Sequence, residues 1–90
     1  VIAPTRLVEI RKWLGLSQEK MAQLLGVSFA SVNRWEGGGS GPTGPTIEVY
    51  RALDVIERRK VKATMVIGSA PVTPGVLFNR IFQLAYGAAK

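Results

Sequence analysis

The chain has 90 residues, 12 Lys+Arg against 6 Asp+Glu, a formal net charge of +6 and 47% hydrophobic residues, which suits one small domain, or one domain with an appendage. It contains no Cys and no His. A disulfide, a zinc site and Cys–His or Ser–His–Asp catalysis are therefore excluded, no cofactor is implied, and six scattered carboxylates leave an enzyme little to work with.

The first forty residues divide cleanly. Thr5 after Pro4 caps a first helix ending at Gly15, with Leu7, Ile10 and Leu14 on one stripe. Ser17 caps a second helix over Gln18 to Leu25, stopped by Gly26, and Ser28 caps a third over Phe29 to Glu36, stopped by glycines. Gly37–Gly38–Gly39–Ser40–Gly41 is a low-complexity break. Thr46 caps a fourth helix running to about Arg58, with Val49, Ala52, Leu53 and Ile56 on one face. Arg51, Asp54 and Arg58 lie on the other face at ion-pair spacing. Residues 61–67 read as a strand or as a continuation of the fourth helix. Thr73–Pro74 reads as a helix start, with the helix continuing to about Ala88. The most apolar stretch, residues 65–82, is broken by Gly68, Pro71, Pro74 and Gly75, so no membrane partner is expected.

The second and third helices are joined by Gly26–Val27–Ser28 alone, so they must cross steeply. Ala22 supplies the small contact, Gly26 the positive φ, and Leu25, Val27, Val32 and Trp35 the apolar filling. The run Leu16-Ser17-Gln18-Glu19-Lys20-Met21-Ala22-Gln23-Leu24-Leu25-Gly26-Val27-Ser28, followed by Val32-Asn33-Arg34-Trp35-Glu36, resembles the helix-turn-helix of the Cro and phage-repressor (XRE-type) family. The likeness extends from about Arg6 to Arg58. It implies an all-α, repressor-like bundle of four to five helices whose third helix enters the major groove, with dimers on palindromic operators. The Gly41-Pro42-Thr43-Gly44-Pro45 stretch resembles the DNA-binding modules of some antitoxins, whose preceding zinc ribbon has no counterpart among these residues.

At 100° per residue, Val32 and Trp35 fall on one side of the third helix, and Phe29, Ala30, Asn33 and Arg34 on the other. Arg34 suits guanine, Asn33 suits adenine, and Ala30 and Phe29 suit thymine methyls. Phe29 is equally suited to packing back on the second helix. Ser17 and Gln18 open the second helix, where free N–H groups and the helix dipole favour an anion, and the resemblance puts Gln18 on a phosphate. Gly38, Ser40 and Thr43 are further phosphate candidates, the first through its backbone N–H. Arg58, Arg59, Lys60 and Lys62 form a charge run suited to a solvated helix end and to long-range attraction. Trp13, Trp35 and Leu14 have core spacing, not that of a single-strand stacking platform. Arg11 lies at the edge of an apolar stripe and needs a partner, for which Glu36 is the candidate; the resemblance implies the same pair.

The last helix is apolar over more than half its circumference. A second copy is the natural cover, with burial inside one subunit as the alternative, and Leu77, Phe78, Ile81, Phe82 and Leu84 are the expected dimer interface. The expected organisation is a DNA-binding domain over residues 1–60 and a dimerisation extension over 61–90. The expected function is a sequence-specific, cytoplasmic double-stranded DNA-binding repressor acting as a homodimer. The alternatives are an antitoxin that grips a toxin protein and autoregulates its operon, and a protein-interaction module of the same fold.

Overall fold

The computed structural model describes residues 2–68 and 73–87, which form six helices. These are α1 (Pro4–Leu14), α2 (Gln18–Leu25), α3 (Phe29–Glu36), α4 (Gly44–Arg58), α5 (Ala63–Ile67) and α6 (Pro74–Tyr86). Ala88 and Lys90 lie outside the described residues.

Local chemistry sets the boundaries. Ser17 accepts the Lys20 N–H and Ser28 accepts the Ser31 N–H, each satisfying one orphan donor at a helix start. Gly26 ends α2 at φ 73°, a conformation in which an L side chain is strained. Two expected caps are corrected. Pro4 opens α1 with Ala3 before it, so Thr5 lies inside the first turn. Gly44 and Pro45 open α4 behind Thr43, so Thr46 lies inside its first turn. In both cases proline occupies an early helical position, where its missing N–H costs nothing, and the start moves upstream. Residues 63–67 are a short helix. It is separated from α4 by a turn in which Lys60 adopts φ 63°.

α2 and α3 pack together as the helix-turn-helix, and α1 lies against α3, α4 and α5. One core joins Leu7, Ile10 and Leu14 to Met21, Ala22, Leu25, Val32 and Trp35, and then to Val49, Tyr50, Ala52, Leu53 and Ile56. Trp35 meets Tyr50 edge to face with centroids 6.4 Å apart.

The last helix corrects an expectation. α6 packs along α4, and Val66, Leu77, Ile81 and Ala85 belong to the same core as α1–α4. Leu77 and Ile81, expected at a dimer interface, are buried within their own subunit. Their i, i+4 spacing on the side facing α4 lets the fourth helix supply the cover. Phe78, Phe82 and Leu84 are half-buried at the edge of that seam. Val76 and Tyr86 remain exposed, and Phe82 stacks on Tyr86 with centroids 6.4 Å apart. Arg80 fastens α6 to α5 by donating Nη1 to the carbonyls of Val66 and Ile67, at 3.0 and 3.2 Å.

Charge pairing at the outer surface also differs from the spacing argument. Arg6 of α1 draws Asp54 (2.6 Å) and Glu57 (2.7 Å) of α4 together. Asp54 retains Arg58 at 3.1 Å, while Arg51 pairs with Glu48 instead.

Candidate nucleic-acid interface

α3 sorts its side chains by face. Val32 and Trp35 are buried, at 0% and 7% exposure. Phe29, Ala30, Asn33 and Arg34 are exposed together on the opposite side. Phe29 is 52% exposed, which decides against its packing back on α2.

Behind this face lies a polar chain. Arg11 of α1 donates Nε to Glu36 Oε2 at 2.8 Å and Nη2 to Glu36 Oε1 at 2.9 Å. Its third nitrogen, Nη1, donates to the Leu16 carbonyl at 2.9 Å, tying α1 to the segment before α2. Gln18 Nε2 donates to Glu36 Oε1 at 2.9 Å, and Asn33 Nδ2 donates to Gln18 Oε1 at 3.0 Å. The Glu36 side chain is 4% exposed and that of Arg11 14%. Burial works to raise the Glu36 carboxyl, but the bonds from Arg11 and Gln18 outweigh it and hold the group below the usual carboxylate range. The bond to Glu36 in turn raises the Arg11 guanidinium. Tyr50, packed nearby, is pushed up by burial and then by the Glu36 charge.

The N–H groups of the glycine loop, among them that of Gly38 expected on a phosphate, turn back onto α3. Gly37, Gly38 and Gly39 donate their N–H groups to the carbonyls of Asn33, Trp35 and Arg34, at 3.0, 3.3 and 3.0 Å. The end of a helix leaves carbonyls without partners, and the loop curls back to satisfy them. Gly39 is a site residue that sequence reasoning missed. A Cβ there would sit 2.7 Å from Arg34 Cγ and 3.2 Å from the Arg34 carbonyl, so only glycine lets the Arg34 stem lie as it does. The run of glycines was visible in the sequence, but nothing in it singled out the third.

Ser40 and Thr43 are exposed, and the Thr43 hydroxyl makes no cap bond to α4. The Ser17 hydroxyl already caps α2. Lys60 and Lys62 are exposed at the far end of α4, about 22 Å from its start by helical rise. Arg58 is paired with Asp54, and Arg59 Nη1 donates to the Leu84 carbonyl at 3.4 Å. That basic run is thus remote from the loop beside α3. Among the described residues, no group of His, Cys, Asp or Glu is placed to hold a metal ion, and no helix is long and apolar enough to cross a membrane.

A helix-turn-helix family model matches residues 7–53, from α1 into α4. The chain is similar to Antitoxin MqsA of Escherichia coli (strain K12), with 34% identity over 53 residues. That match covers 59% of this chain but 40% of the relative, so the chain spans well under two thirds of that protein. No solved structure matches.

Proposed function

The chain belongs to the helix-turn-helix family, and we propose that it is a sequence-specific duplex-DNA-binding regulator of transcription that acts as a repressor in the cytoplasm. The observation that carries this reading is the sorting of α3. Its apolar side is sunk in the core, while Phe29, Ala30, Asn33 and Arg34 stand exposed together. Arg34 then reads guanine through O6 and N7, Asn33 reads adenine through N6 and N7, and Phe29 and Ala30 meet thymine methyls. Phosphate contacts come from the start of α2 at Ser17 and Gln18, and from Ser40 and Thr43. Repression needs only occupancy of a promoter, which a protein of this size can provide.

The dimer is part of the same proposal. One recognition helix reads only a few base pairs, so a two-fold pair of α3 helices about 34 Å apart is required for a palindromic operator. With Leu77 and Ile81 committed to the subunit, Phe78, Phe82 and Leu84 are the interface candidates that remain, joined by Tyr86.

A second reading, the antitoxin of a toxin–antitoxin pair, is favoured by the similarity to Antitoxin MqsA. In it the same α3 face autoregulates an operon, and the aromatic flank of α6 meets a toxin protein. One experiment tests the shared core of both readings. Selection of bound sequences from random duplexes is expected to enrich a palindrome. Enrichment of a single half-site would remove the dimer, and no enrichment would remove DNA recognition.

A further inference from the structure

Hydrogen-bond polarity runs in one direction through the chain of side chains behind α3. A guanidinium only donates and a carboxylate only accepts. Glu36, already bound to two Arg11 nitrogens, therefore accepts from Gln18 and cannot donate to it. This turns the Gln18 NH2 group inward and its carbonyl outward. The outward carbonyl accepts from Asn33 Nδ2. Asn33 is left with its Oδ1 and one remaining N–H for whatever meets the exposed face of α3. Reversing the Asn33 amide would set two carbonyl oxygens against each other at Gln18. Reversing Gln18 as well would set its carbonyl against the Glu36 carboxylate.

We propose that Gln18 and Glu36 are positioning residues for base specificity: the Glu36 carboxylate fixes the Gln18 amide, which fixes the Asn33 amide so that it selects adenine and rejects guanine at one base position. This rests on the DNA reading above. Adenine offers an N6–H donor beside the N7 acceptor, matching an oriented Asn that presents one acceptor and one donor. Guanine offers O6 and N7, both acceptors. A freely turning Asn satisfies either base in part by rotating its NH2 group toward it. An Asn held by Gln18 sets Oδ1 against guanine O6 and loses that choice. Asn33 is exposed, whereas the Glu36 side chain is only 4% exposed behind it, so a charge set back from the surface determines which edge a surface amide presents.

The test is selection from random duplexes with wild type, Asn33→Ala, Gln18→Met and Glu36→Gln, with melting temperatures measured alongside. Asn33→Ala identifies the position that Asn33 reads. The wild type is expected to prefer adenine over guanine there by at least about fivefold, as for a good bidentate contact. Gln18→Met keeps the stem length and the Arg11–Glu36 pair but removes the amide. It is expected to bring that ratio below about twofold while preference at the Arg34 position persists. Glu36→Gln can donate as well as accept, so it is expected to lose discrimination at the same position. Should it fail to fold, Gln18→Met carries the test alone. If Gln18→Met weakens all sites equally with the adenine–guanine ratio intact, Gln18 meets only phosphate and the proposal is overturned while the DNA reading stands. The proposal also fails if Asn33→Ala changes no position. If the wild type enriches no sequence, both fall.

Discussion

Truncating Ile81 to Ala probes the seam between α4 and α6. Ile81 is fully buried there, on the α6 face that also carries Leu77 and Ala85. The change removes three carbons, about 2.4 kcal/mol at ~0.8 kcal/mol per buried CH2, before any cavity cost. With a cavity left between two helices, about 3 kcal/mol is expected, within the usual 2–5 kcal/mol for such truncations. A domain of this size has roughly 5–13 kcal/mol in total, so the loss is a large fraction. It corresponds to a fall in melting temperature of about 12–24 °C. Thermal unfolding followed by circular dichroism measures this, and sedimentation at the same concentration gives the mass. The structure predicts a large drop in melting temperature with the folded mass unchanged. A halved mass with a melting temperature within about 3 °C of wild type would refute the reasoning, because Ile81 would then be covered by a second copy.

Gly39→Ala pushes a Cβ to 2.7 Å from Arg34 Cγ. It should cost part of the ~1–3 kcal/mol carried by an Arg–base contact, with little change in melting temperature; titration on a selected site checks this. Lys60→Gly relieves a positive φ of 63° and should add about 0.5–1 kcal/mol of stability, read from the urea midpoint. Acid should destabilise the fold. Burial opposes ionisation of Glu36 and Asp54, but the bonds from Arg11, Gln18, Arg6 and Arg58 outweigh it and lower both carboxyls below the ordinary 4.5 and 3.8. Their contribution is complete above about pH 5 and is lost as pH falls through the lowered values. Urea midpoints between pH 7 and pH 2 should therefore fall below pH 4, and less steeply in Glu36→Gln.

Much of the helix-turn-helix is legible in the sequence because its punctuation is local. Ser17, Gly26 and Ser28 each act on groups within a few residues, so α2 and α3 fall where those residues put them. Thr5 and Thr46 mislead because proline starts a helix without a capping side chain. The long-range partners are less legible. The apolar face of the last helix shows that Leu77 and Ile81 must be covered, but periodicity does not say by what, and α4 is the answer. Arg11 and Glu36 are readable as a pair because a charge beside an apolar stripe needs a partner. That Gln18 and Asn33 extend the pair to the surface depends on the crossing of α2 and α3, which no spacing along one helix encodes. The inward turn of the glycine loop likewise depends on the unsatisfied carbonyls of α3, so Gly38 looked available in the sequence when its N–H was already engaged.

Base reading by the exposed face of α3 is the proposal on which the function rests. The most direct measurement compares Arg34→Ala with wild type by fluorescence anisotropy, on a selected duplex and on a random one at the same salt. Arg34 stands exposed on that face with its stem against Gly39. A loss of ~1–3 kcal/mol is expected on the selected duplex and little on the random one. Equal losses on both would contradict it, because Arg34 would then meet only the phosphate backbone.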